Sequence, residues 1–75
     1  MPYRTNAELP DSVRDTLPPP AQDIYRAAFN SAWDQYKDPG KRKKGGTREE
    51  TAHAVAWSAV GQKYEKQDGE WREKA

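Results

Sequence analysis

The sequence predicts a mainly α fold: a small three-helix domain with a minimal two-stranded pairing of its N- and C-terminal segments. Three observations lead there. Apolar residues recur at helical spacing over Ala21 to Tyr36 and again over Thr47 to Tyr64. Pro18-Pro19-Pro20 and Asp38-Pro39-Gly40 mark where helices stop and start. The 75 residues allow one domain, spanning 1–75, and one core.

A chain of this length sits where hydrophobic burial and conformational entropy nearly cancel. Only 33% of the residues are hydrophobic and another 33% are charged, a balance that leans toward disorder. Eight aromatic residues against six Leu, Ile or Val tip it back. Each aromatic ring buries roughly 150–250 Å², so a few of them replace many aliphatics. A thin, aromatic-rich core is expected.

Taken in order, Tyr3, Arg4 and Thr5 suit a short extended segment. Pro10 suits the first position of a brief helix, where its missing N–H is not needed. Val13 and Leu17 then share its inner face, with Leu9 nearby. Pro18 ends this helix by disfavouring helical geometry at Leu17. The proline run reads as a helix stop followed by a helix start, in preference to a ligand for a polyproline-binding groove.

The second helix presents Ala21, Ile24, Tyr25, Ala28, Phe29, Ala32, Trp33 and Tyr36 on one side. Gln22, Asp23, Arg26, Asn30, Asp34 and Gln35 take the other faces. Thr47 and Glu50 match a capping box at the start of the third helix. That helix collects Ala52, Val55, Ala56, Ala59 and Val60 on one face, with Trp57 and Tyr64 at its edge. Gly61 falls on the opposite side. Asp68-Gly69 is a turn, and Trp71 after it is expected to fold back beside Tyr3. Tyr36, Tyr64 and Trp71 are the aromatics expected to stay partly exposed.

The net charge of +1 conceals a polarity. Residues 37–48 carry +5 and the remainder −4. Most of the positive charge is the run Lys41-Arg42-Lys43-Lys44, which folding does not require and which Lys37 and Arg48 reinforce. Such a cluster suits an anionic membrane surface or nucleic-acid phosphates. The bland alternative is a solvated loop with no ligand.

The other candidates for chemistry weigh less. Without cysteine there is no disulfide, thiolate metal site or cysteine nucleophile. His53 follows Glu49 by one helical turn, so both can face one ligand, but a single imidazole and one carboxylate do not complete a zinc site. A helix-edge histidine packed against aromatics is the favoured reading. Asp34 and Asp38 lack the further oxygens that a cation site needs, and Ser12, Ser31 and Ser58 have no triad context. The aromatic stripes read as core rather than as a base-stacking platform. No signal peptide or membrane-spanning run is apparent. The residue chemistry by itself assigns no function; it favours a non-enzyme that needs no cofactor or metal.

Longer motifs give a direction. Leu17-Pro18, Ala21-Gln22-Asp23-Ile24-Tyr25, Ala28-Phe29-Asn30-Ser31-Ala32-Trp33-Asp34-Gln35-Tyr36 and Arg48-Glu49-Glu50-Thr51-Ala52-His53-Ala54-Val55-Ala56-Trp57 resemble the ChaB family. Pro2-Tyr3, Leu9-Pro10 and Trp71 fit the same pattern. Members are small bacterial proteins described as cation transport regulators. The resemblance implies a compact, mainly helical fold with a small sheet element. It further implies a regulator that modulates a sodium or calcium/proton antiporter of the ChaA type in the inner membrane. Related domains also occur fused to nucleic-acid modules, which keeps an accessory role on nucleic acid as the alternative. The family supplies no residue-level site, and the basic loop is where this sequence departs from a charged, variable region. The expectation is a cytoplasmic monomer, peripheral at the inner membrane, that meets its partner through Lys41, Arg42, Lys43, Lys44 and Trp71.

Overall fold

The computed structural model describes residues 3–41 and 46–74. A 3-10 turn over Asn6–Glu8 leads into three helices: α1 (Asp11–Thr16), α2 (Pro19–Gln35) and α3 (Arg48–Lys63). A second 3-10 turn, Pro39–Lys41, follows α2, and strands β1 (Tyr64–Gln67) and β2 (Glu70–Glu73) close the chain.

The proline run acts as the sequence suggests. Leu17 is extended at φ −104, ψ 139, and Pro18 caps α2, so Pro19 and Pro20 fall where no N–H is needed. Pro10 stands one place outside α1, as its N-cap. At α3, the Glu50 N–H donates to Thr47 Oγ1 at 3.0 Å, the first half of the anticipated capping box.

The core is one cluster to which every helix contributes. Leu9, Val13, Leu17, Ala21, Tyr25, Phe29, Ala32, Ala52, Ala56, Val60 and Tyr64 are each at most 7% exposed. Six of the eleven are Ala or Val, so the volume is carried by Tyr25 and Phe29, stacked with centroids 5.9 Å apart. Tyr64 departs from the expected partial exposure. It stands where α3 passes into β1 and is the one buried residue of the hairpin.

The two-stranded element exists, but both strands are C-terminal. β1 pairs antiparallel with β2, Tyr64 opposite Glu73 and Lys66 opposite Trp71. Asp68 and Gly69 have φ of 51 and 82, the two positive values that a tight two-residue hairpin turn requires. Closing so short a loop costs far less entropy than joining the two ends of the chain. Trp71 therefore packs on Trp57, with centroids 5.6 Å apart, and not beside Tyr3.

Tyr3 is held by a different device. Its N–H donates to Asn30 Oδ1 and its carbonyl accepts from Asn30 Nδ2, both at 2.7 Å, so one side chain pairs the backbone as a strand would. Two more α2 side chains extend the clamp. Asn6 Nδ2 donates to Asp23 Oδ1 at 2.7 Å, and Arg26 Nε donates to Asn6 Oδ1 at 2.8 Å. Gln22 Nε2 donates to the Leu17 carbonyl at 2.7 Å, meeting an orphan at the end of α1. The polar face of α2 is thus half structural, with the Tyr3 ring landing 4.9 Å from Phe29.

Two stability measurements test this packing. A Cβ at Gly61 meets nothing within 4 Å, so Gly61→Ala should raise unfolding stability by about 0.5–1 kcal/mol in denaturant titration. Ala52 has no exposed surface, so Ala52→Leu should lower stability by about 1–3 kcal/mol. A neutral Ala52→Leu would mean that α3 does not pack as described.

Candidate functional site

The expected contact residues fall in two places. Lys41 ends the 3-10 turn after α2 and is exposed. Its N–H donates to the Asp38 carbonyl at 3.0 Å, and Gly40 N–H donates to Asp38 Oδ1 at 2.9 Å, so Asp38 shapes the turn. Arg42, Lys43 and Lys44 lie outside the described residues. Arg48 belongs to the fold: its Nε donates to the Trp33 carbonyl at 2.7 Å, and its guanidinium lies 4.2 Å from the Trp33 ring centroid. One cation of the basic cluster therefore ties the start of α3 to the end of α2.

Trp71 is half-buried on β2, and its Nε1–H is enclosed without a hydrogen-bond acceptor among the described residues. It touches α3 at Trp57, nine positions beyond Arg48, or roughly 14 Å along the helix. Lys41 and Trp71 thus belong to different regions of the surface, one before α3 begins and one along its second half.

A third region carries a cavity. An open groove of about 560 Å³ runs between the N-terminal segment, α2 and the start of α3. Tyr3 and Pro10 give it apolar surface above the buried Tyr25 and Phe29; Thr47, Glu49, Glu50 and His53 supply the polar lining. Glu49 and His53 share it because they are one helical turn apart, the spacing already visible in the sequence. The contributions of Tyr3 and Pro10 depend on the side-chain clamp, which helical periodicity does not signal.

Tyr25 Oη lies 2.6 Å from His53 Nδ1. Burial, then the neighbouring Tyr3 and Glu49, push the Tyr25 phenol up to about 12. Burial and Glu49 also raise Tyr3. The direction of this hydrogen bond follows the imidazole tautomer, since the phenol can donate to a bare Nδ1 or accept from Nδ1–H. His53 packs edge-on against Tyr25 and Trp57, at centroid distances of 5.8 and 5.9 Å, as a histidine at the margin of an aromatic core. Among the described residues no group of three His, Asp or Glu converges as metal ligands do, and no helix is long and apolar enough to cross a membrane.

The ChaB family model matches residues 9–74. The chain belongs to the ChaB family. Escherichia coli (strain K12) and Shigella flexneri each have a relative named "Putative cation transport regulator ChaB", 57% identical over 76 residues with 100% of both chains covered. An NMR solution structure of a protein of that name superposes with a TM-score of 0.80 at 56% identity, covering 99% of this chain and 100% of the other. The three helices and small sheet of this ChaB chain accord with that likeness.

The phenol pair gives a pH test. An unfolded tyrosine ionises near 10.0, whereas folded Tyr25 resists to about 12. The unfolded state therefore loses the proton first, and stability falls as pH rises through that window. The loss attributable to Tyr25 should be on the order of 2 kcal/mol. Chemical unfolding of the ChaB chain and its Tyr25→Phe variant at several pH values isolates it, since the lysines titrate alike in both. Parallel pH profiles would show that Tyr25 ionises no later folded than unfolded.

Proposed function

We propose that this protein is a non-enzymatic regulator of cation transport that acts by protein–protein contact at the cytoplasmic face of the membrane. Its proposed partner is a sodium or calcium/proton antiporter of the ChaA type. The observation that carries this reading is the 57% identity, over the whole of both chains, to relatives named as cation transport regulators. Lys41, Arg42, Lys43 and Lys44 supply the attraction, each cation contributing about 1 kcal/mol near an anionic surface. Trp71 is the aromatic anchor, a residue type that often dominates contact energy when a partner covers it.

The net charge of +5 over residues 37–48 favours a second reading, an accessory role on nucleic acid. The fold's use of Arg48 subtracts from it.

Capture from native membranes followed by mass spectrometry should recover a ChaA-type antiporter. Replacing residues 41–44 by serine should reduce recovery about tenfold or more, and Trp71→Ala should reduce it independently. Undiminished recovery in the serine variant would remove the basic segment from the mechanism. Salt-sensitive binding to nucleic acid near 50 mM salt, with no antiporter captured, would favour the second reading.

A further inference from the structure

The C-terminal hairpin leaves β2 with an open edge. Lys74 N–H donates to the Lys63 carbonyl at 2.9 Å, so these two residues are a hydrogen-bonded pair in the antiparallel register. Bonded and non-bonded pairs alternate from there, which turns the N–H and C=O of Trp71 and Glu73 away from β1. Among the described residues no hydrogen bond from outside the ladder reaches those groups. Such an edge is a template for another strand, and β2 carries none of the lysines, prolines or bulges that commonly block one.

Side chains decide which strand fits. Trp71 packs toward α3 on Trp57, so Glu70 and Arg72 lie on the opposite face, where they pair at 3.0 Å and are exposed. A second copy related by a two-fold axis sets residues of the same face opposite each other. With Trp71 opposite Trp71 of the copy, each Glu70 stands opposite an Arg72, and the four charges alternate in sign around the axis. The same register carries Lys74 toward Asp68 of the copy, a further pair of opposite sign.

The other registers open to the hairpin place like charges together. Trp71 opposite Glu73 sets Arg72 against Arg72, and a pairing centred on Glu73 opposes two carboxylates. On the edge of β1, Tyr64 opposite Lys66 sets Glu65 against Glu65, and Lys66 opposite Lys66 opposes two cations. A pairing centred on Tyr64 requires residues that belong to α3.

We propose that this chain pairs with a second copy of itself through β2, antiparallel and centred on Trp71, to form a four-stranded sheet in place of the monomer that the sequence suggests. The contact is short, so the dimer is weak. It needs no transporter and does not rest on that reading.

Sedimentation equilibrium of the purified full chain tests it. At about 50 mM salt, where exposed charges are weakly screened, the mean mass should climb from 8.6 kDa toward twice that value, with a Kd of about 0.1–1 mM. Glu70→Arg makes the four charges all positive and Arg72→Glu makes them all negative, so each variant should associate about tenfold more weakly or worse. An equimolar mixture of the two variants should associate again, since one strand then supplies the cations and the other the carboxylates. A merely structural role for the Glu70–Arg72 pair would not produce that recovery. A mass that stays at 8.6 kDa up to about 2 mM protein would overturn the proposal. So would single variants that associate as the parent does, or a mixture that stays monomeric.

Discussion

The contact between α2 and α3 is built largely from alanine and valine, and the volume this leaves is taken by Tyr25 and Phe29. Ala21, Ala32, Ala52 and Ala56 are all at most 1% exposed, so they serve as spacers that keep little for themselves. A core with so few aliphatic side chains depends on where its rings sit. Tyr3 and Trp33 pack on Phe29, Trp57 packs on Tyr25, and Trp71 packs on Trp57. The chain of ring contacts runs from the N-terminal segment to the last strand. It explains how a chain with 33% hydrophobic residues holds both ends on one core.

Ordering residues 3–8 costs entropy that their own apolar content does not offset. Tyr3 is the only large ring among them, so the balance has to come from hydrogen bonds. Asn30 satisfies both backbone groups of Tyr3, while Arg26 reaches Asn6 and, at 3.1 Å, the Arg4 carbonyl. Each such bond contributes about 1 kcal/mol net. The exposed Arg26–Asp23 ion pair adds little by itself, since solvent screens it. The groove is a by-product of this clamp: holding Tyr3 over Phe29 supplies a wall that α2 and α3 alone do not.

The helices were legible because their apolar spacing and stop signals agree. Pro18, the Thr47 cap and Asp68-Gly69 each act locally, so composition and position suffice to find them. A pairing of the two termini fails as an expectation because it treats Trp71 as a long-range contact, whereas the Asp68-Gly69 turn before it specifies a local hairpin. Asp23, Arg26 and Asn30 looked solvated because helical periodicity sorts side chains by polarity alone. It cannot show that a polar face meets another backbone. Arg48 was grouped with its basic neighbours for the same reason, and the Trp33 ring and carbonyl that engage it lie fifteen residues away. For the groove, the Glu49 and His53 spacing is visible in the sequence, and Tyr25 and Phe29 beneath it belong to the core as their helical spacing implies.

The N-terminus of α3 is where these threads meet. Within a few residues the chain passes from a cationic segment to a capping threonine and then to two glutamates. A positive charge there would add to the helix dipole, whereas Glu49 and Glu50 oppose it and stabilise the first turn. Arg48 does not undo this, because its guanidinium turns to the Trp33 ring and away from the acids that follow it. A net charge of +1 therefore conceals a polarity, +5 over residues 37–48 and −4 over the remainder.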